Sequence, residues 1–197
     1  MKKKFFIIIF LIFSLNQNSY GYSTDPKQFI TEIVNEAKKI LVATNTKEFK
    51  TKELSKMALK TVDIKGVAYY SIGKYRNELN EEQLKEYLSL FEKYFLKSFT
   101  SRLTDYSDPK IDVLSTEVIN DKYTIVKSIL LATDKKPEVK IEWRVYTKNP
   151  DKPLIRDLII EGLSLARTQK EEFASVIETN NGDINKLFIT LKEFIAK

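Results

Sequence analysis

The hydrophobic positions change period twice along the chain. From Pro26 to Ala43 the apolar residues Phe29, Ile30, Ile33, Val34, Ala37, Ile40 and Leu41 recur at spacings of three and four, which predicts an amphipathic helix. Asp25-Pro26 supplies its start, a capping oxygen followed by a proline in the first turn. A second, shorter helix is predicted over Lys47–Lys60, with Phe49, Leu54, Met57 and Ala58 inward. Asp63–Gly66 breaks the pattern, and the glycine-bounded apolar run Gly66–Gly73 fits a short helix or a turn. Asn80-Glu81-Glu82-Gln83 then has the form of a capping box. Behind it Leu84, Tyr87, Leu88, Phe91, Tyr94, Phe95 and Phe99 form a long, strongly aromatic stripe. Such a stripe is ordinarily core.

After Pro109 the period drops to two. Ile111–Ile119, Tyr123–Ala132, Val139–Tyr146 and Leu154–Glu161 read as four strands. The turns between them, Asn120–Lys122, Thr133–Pro137 and Lys148–Pro153, are short, which favours antiparallel hairpins. In the third strand Val139, Ile141, Trp143 and Val145 share one face, and Lys140, Glu142, Arg144 and Tyr146 the other. In the fourth, strict alternation groups Leu154, Arg156, Leu158 and Ile160 against Ile155, Asp157, Ile159 and Glu161. Helical spacing returns at Thr168-Gln169-Lys170-Glu171, read as a second capping box, with Phe173, Val176 and Ile177 behind it. Asn180-Asn181-Gly182-Asp183 ends that helix and caps a last one lined by Leu187, Phe188, Leu191, Phe194 and Ile195. The order predicts an α+β domain: a curved antiparallel four-stranded sheet, residues 111–161, covered by N-terminal and C-terminal helices.

The first residues change the picture of where the chain works. Lys2, Lys3 and Lys4 precede the run Phe5–Leu15, which is apolar except for Ser14. A spanning helix needs about 20 apolar residues, so this run is too short for an uncleaved anchor. Ser19-Tyr20-Gly21 places small residues where a signal peptidase reads. Residues 1–21 therefore read as a Sec-type signal peptide, with 22–197 as a single domain. The formal net charge of +6 falls to +3 without the three leading lysines. Both signs are scattered, so nucleic-acid binding finds no support. The chain has no Cys and no His. Thiol nucleophiles, disulfides, Cys-ligated metals and Ser-His-Asp triads are excluded. No glycine-rich phosphate loop or calcium-loop pattern occurs either, and no cofactor is expected.

Three segments carry a resemblance: "GKYRNELNEEQLKEYLSLFEKYFLKSF" (73–99), "RDLIIEGLSLARTQKEEFASVI" (156–177) and "NNGDINKLFITLK" (180–192). In order and spacing they resemble the MlaC, or toluene-tolerance, family of periplasmic phospholipid-binding proteins. The stretch from Asp157 through Glu161-Gly162 and Ser164-Leu165, with Phe173 following, is the most specific part. Two positions depart from the family pattern: Arg76 stands where a Trp is common, and Lys170 where an Arg is. The resemblance implies a nuclear-transport-factor-2-like curved sheet with a helical extension and an apolar cavity between them. It implies a monomeric periplasmic carrier whose cargo is phospholipid. Its partners would be an inner-membrane ABC transporter complex and an outer-membrane lipoprotein–porin complex.

Helix and strand phase nominate Val67, Tyr70, Tyr75, Phe91, Phe95, Phe99, Leu131, Trp143, Val145, Leu158, Leu163 and Phe173 as pocket lining. On that reading, a charge at Val145 or Phe95 removes lipid before it removes the fold. Gly162 is expected at a bulge or a close backbone approach, and Ser164 is expected to bond its own backbone. Two rival readings stand beside the carrier. One is an isomerase or dehydratase with Asp157 as base and Tyr70 or Tyr75 as oxyanion donor, against which stands the reading of Asp157 as an ion-pair partner of a neighbouring Arg or Lys that holds the sheet edge. The other is an interaction module without a ligand.

Overall fold

The structure, a computed structural model of the 197-residue chain, describes residues 21–133 and 137–197. The signal-peptide reading of 1–21 lies outside the described residues except for Gly21, as does the middle of the turn 133–137.

Local capping sets the helix boundaries. Helix α1 (Pro26–Val42) begins where the Asp25 carboxylate accepts the Gln28 N–H, and it buries Phe29, Ile30, Ile33, Val34 and Leu41. Helix α2 (Lys47–Thr61) is capped by Thr46. The Gly66–Gly73 run is a helix: α3 (Ile64–Ile72) starts at Asp63, which accepts the Gly66 N–H. A 3-10 turn (Gly73–Glu78) leads to α4 (Glu81–Thr104), whose Asn80–Gln83 capping box closes in both directions.

The strands β1 (Ile111–Asn120), β2 (Tyr123–Leu130), β3 (Val139–Tyr146) and β4 (Leu154–Ile160) appear as expected. A two-residue β5 (Leu163–Ser164) is added beyond β4. The sheet runs β1-β2-β3-β4-β5 with every pair antiparallel. Gly162 owes its place to a tight turn, not to a bulge or a close approach. Glu161 (φ 49°) and Gly162 (φ 82°) both sit in the left-handed region, as the two central residues of a type I′ hairpin must. Nothing lies within 4 Å of where a Cβ on Gly162 would be.

A bulge in β4 corrects the strict alternation. Arg144 pairs with Asp157 but Val145 pairs with Ile155, so Arg156 is the extra residue. Ile155 thereby joins Val145 on the inner face, while Leu158 and Ile160 lie opposite Trp143 and Ile141 on that same face. Strand β1 is an edge. Its pairing with β2 shifts register around Leu114 and again around Ile119, and the Lys27 ammonium donates to the Leu114 carbonyl at 2.7 Å.

Helix α5 (Leu165–Glu178) starts three residues before the predicted capping box. Its cap is Ser164, whose hydroxyl oxygen accepts the Arg167 N–H at 3.1 Å, while Thr168 lies inside the helix and donates to the Ser164 carbonyl. Helix α6 (Ile184–Ala196) is capped by Asp183 as predicted.

Two apolar cores result. In one, Phe29, Ile30, Ile33, Leu54 and Met57 of α1 and α2 cover Val126, Val145 and Ile155 of the sheet. In the other, α3, α4, α5 and α6 pack together around Tyr87, Phe91, Phe173, Ile177, Leu187 and Leu191. Helix α4 belongs to both. Phe91 stacks on Phe95 with ring centroids 6.3 Å apart, and Phe95 stacks on Phe99 at 5.8 Å. Tyr87 in the helical core is fully buried, and its hydroxyl donates to the Ala68 carbonyl at 2.9 Å. Burial pushes its phenol well above the ordinary tyrosine range, so the proton stays available to donate. Tyr87→Phe removes that one bond and is expected to cost about 1 kcal/mol, read as a fall in Tm of roughly 2–4 °C for a chain of this size. Among the described residues no helix is long and apolar enough to cross a membrane.

Candidate functional site

Cover on the inner sheet face is uneven. Val126, Val145 and Ile155 are sealed by α1 and α2. Further along the same face, Leu130, Val139, Ile141, Trp143, Leu158 and Ile160 are only half-buried. Leu163, paired with Ile160 across the β4–β5 turn, is 59% exposed and carries this row out to the surface. Phe99 and Leu103 of α4 pack on the same core as Trp143, and Phe95 continues the wall by stacking on Phe99. The result is an apolar cleft between β2–β5 and the C-terminal half of α4. It is open along its length. Hollows of about 330 and 370 Å³ lie elsewhere on the sheet, off this row.

Few polar groups interrupt the cleft, and those present are satisfied. The Trp143 indole N–H donates to Ser128 Oγ at 2.8 Å, and the Ser128 hydroxyl donates to the Ile141 carbonyl at 3.2 Å. Asp157 lies on the opposite face, its side chain 2% exposed. Its Oδ2 accepts from the Ser164 hydroxyl at 2.6 Å and from Arg144 at 3.3 Å, and its Oδ1 accepts the Ala166 N–H at 3.0 Å. The carboxylate thus ties the first turn of α5 to the sheet. Anions are favoured at a helix N-terminus, where N–H groups lack intrahelical partners. Asp157 has an Arg partner, as one sequence reading expected, and Ser164 bonds its own backbone while also donating to Asp157. Both oxygens of the carboxylate accept hydrogen bonds. Of the oxyanion donors in the enzyme reading, Tyr75 donates to Glu178 at 3.0 Å, so its hydroxyl is engaged as well.

The chain matches the family described as MlaC protein over residues 27–193. The chain belongs to the MlaC family. A comparison with curated proteins finds no match. Among solved structures, the phospholipid-binding protein from Ralstonia solanacearum, determined in complex with a phospholipid, is similar in fold. The TM-score is 0.71 at 19% sequence identity, over 85% of this chain and 94% of that one.

In this MlaC-family chain the nominated pocket residues fall into four groups. Phe99, Trp143 and Leu158 flank the cleft, with Phe95 at the junction of the two cores and Leu163 at the outer end of the row. Val145 is fully buried beneath α1 and α2, and Phe91, Phe173 and Tyr75 are buried in the helical core. Val67 and Tyr70 line the 370 Å³ hollow on the other face of the sheet, beside Arg144 and Asp157. Leu131 follows β2, 37% exposed. Leu130, Val139, Ile141 and Ile160 share the cleft beyond the nominated set. Period-two spacing from Trp143 already marks Val139 and Ile141, and antiparallel pairing adds the other two. Of the two departures from the family pattern, Arg76 lies over the Tyr69 ring at 5.4 Å and Lys170 over the Tyr70 ring at 5.2 Å. Both lie on the helical extension, away from the cleft row.

Proposed function

We propose that this MlaC-family chain is a periplasmic carrier that holds a phospholipid by its acyl chains in the cleft between β2–β5 and α4. It shuttles that lipid between an inner-membrane ABC transporter complex and an outer-membrane lipoprotein–porin complex, needs no cofactor, and makes or breaks no bond. Family membership favours a binding or transport role over catalysis. The observation that carries the reading is the row of half-covered apolar side chains from Leu130 to Leu163, continuous with a sealed core. Apolar surface of this extent on a soluble chain marks a binding site. Each buried CH₂ is worth about 0.8 kcal/mol, so two acyl chains in water carry a gross penalty on the order of 20 kcal/mol. A lipid lying in the cleft relieves that penalty and supplies the cover the sheet lacks. The fold shared with the Ralstonia solanacearum protein, which was solved with a phospholipid, supports the same assignment.

Native mass spectrometry tests it. Wild-type protein purified from a Gram-negative host is expected to carry a diacyl phospholipid. Leu158→Asp places a carboxylate on the half-buried row and is expected to remove the lipid while far-UV circular dichroism and Tm stay near wild type. Wild-type protein that emerges empty and stays empty after incubation with phospholipid vesicles rules the carrier out.

A further inference from the structure

The 370 Å³ hollow lies on the outer face of the sheet, opposite the cleft, between α3, the end of β1, the starts of β2 and α5, and the Arg144–Asp157 pair. Its size is that of a small-molecule pocket, whose range begins near 300 Å³. Its donors are underused. Among the described residues Arg144, its side chain 43% exposed, makes one side-chain hydrogen bond, at 3.3 Å to Asp157, which leaves most of its N–H groups unpaired. Tyr70 is 45% exposed, and its hydroxyl, within electrostatic range of Arg167, makes no hydrogen bond to a described residue. Asn120 uses its carbonyl oxygen to accept the Lys122 N–H, which leaves its amide N–H₂ available. The Tyr123 oxygen accepts from Arg156 at 2.8 Å, so its own proton is free to be donated. The carboxylates, by contrast, are engaged: both oxygens of Asp157 accept hydrogen bonds, and Asp63 accepts the Gly66 N–H and holds Arg156 at 2.6 Å. Lys170 above Tyr70 adds a positive charge at the rim.

The geometry points to a second binding site here, for the phosphate group of a small phosphate ester. Four donor residues on different elements line one hollow whose carboxylates are already paired with cations, so the complement is an anion with several acceptor oxygens. A guanidinium fork matches phosphate and carboxylate alike. Donors from α3, β1–β2 and β3 approach from separate directions, which suits a tetrahedral acceptor better than a carboxylate, whose lone pairs lie in one plane. Val67, Ile119 and Ala166 form an apolar wall for the ester's organic part. The site is independent of the acyl-chain reading, because it lies on the other face of the sheet.

Titrating the isotope-labelled full chain with glycerol 3-phosphate and with inorganic phosphate at constant ionic strength, followed by two-dimensional amide NMR, tests the assignment. Saturable shifts confined to Tyr70, Asn120, Tyr123 and Arg144 are expected with glycerol 3-phosphate. Equal shifts with inorganic phosphate would make the free ion the ligand, and weaker ones an organic ester. Arg144→Gln is expected to weaken binding about tenfold or more, since it removes a charge-assisted donor. Tyr70→Phe, which removes one surface hydroxyl and leaves the fold untouched, should weaken it roughly threefold. Three results overturn the proposal: no saturable shift with either probe, wild-type affinity in both variants, or shifts produced only by a short-chain phospholipid that also perturbs Trp143 and Leu158. The last would make the hollow part of the lipid site.

Discussion

Val145→Asp is expected to leave no folded protein at 37 °C. Val145 is fully buried, pairs with Thr124 and Ile155, and is sealed by Phe29, Ile30 and Leu54 of α1 and α2. Among the described residues that core holds no cation to pair with a carboxylate, and the Thr124 hydroxyl across the strands is a single neutral donor. Burying an unpaired charge costs more than about 4 kcal/mol, against a total stability of roughly 5–15 kcal/mol for a domain. Loss of near-UV circular dichroism and of soluble yield would show it. This reverses the sequence-based expectation that a charge at Val145 removes lipid first. An aspartate at Leu158, three residues beyond Ile155 and past the bulge in β4, meets water and should spare the fold. A Val145→Asp protein with wild-type Tm would mean that the inner face is hydrated, and the division into sealed and open halves would fall with it.

Asp157→Ala is expected to cost about 3 kcal/mol, a fall in Tm of roughly 6–12 °C for a chain of this size. Most of the loss comes from the Ser164 hydroxyl and the Ala166 N–H, each left without its charged acceptor. The Arg144 pair contributes little, because the guanidinium is half-exposed and screened by solvent. Asp157→Asn keeps one carbonyl oxygen and should recover about half of the loss. The effect should be local: hydrogen exchange should rise first in the opening turn of α5, which this carboxylate ties to the sheet beside the β4–β5 pairing. Unchanged thermal stability in Asp157→Ala would leave the residue without a structural role and return the general-base reading to consideration.

Most of the secondary structure was legible because periodicity and capping are local. The Asn80–Gln83 box, the Asp25 and Asp183 caps and the period-two strands each depend on residues within a few positions of one another. Three features were not local. The start of α5 moved to Ser164 because its capping hydroxyl is held by Asp157, seven residues back on another element, and so outcompetes the better-looking sequence at Thr168. The bulge at Arg156 reassigned Ile155 to the inner face, and a bulge leaves no mark on hydropathy. The third concerns the site. Phe91, Phe95 and Phe99 have the same phase on α4, yet Phe91 is sealed among helices whereas Phe95 and Phe99 reach toward the sheet. Helix phase says which side a residue faces, not what stands opposite at that height along the axis. The separation of Val145 from Trp143 has the same cause: α1 and α2 end over one and not the other.

The irregular border of the sheet has a consequence for a chain that displays this much apolar surface. An exposed strand of ten residues is ordinarily a template on which a neighbouring copy can add its own, the first step toward aggregates. Here the Lys27 ammonium occupies one of the carbonyls such a copy would need, and two register shifts interrupt the straight run of backbone groups. Leu114, Val118 and Ile119 can therefore remain outside without offering a continuous seam for edge-to-edge pairing between copies.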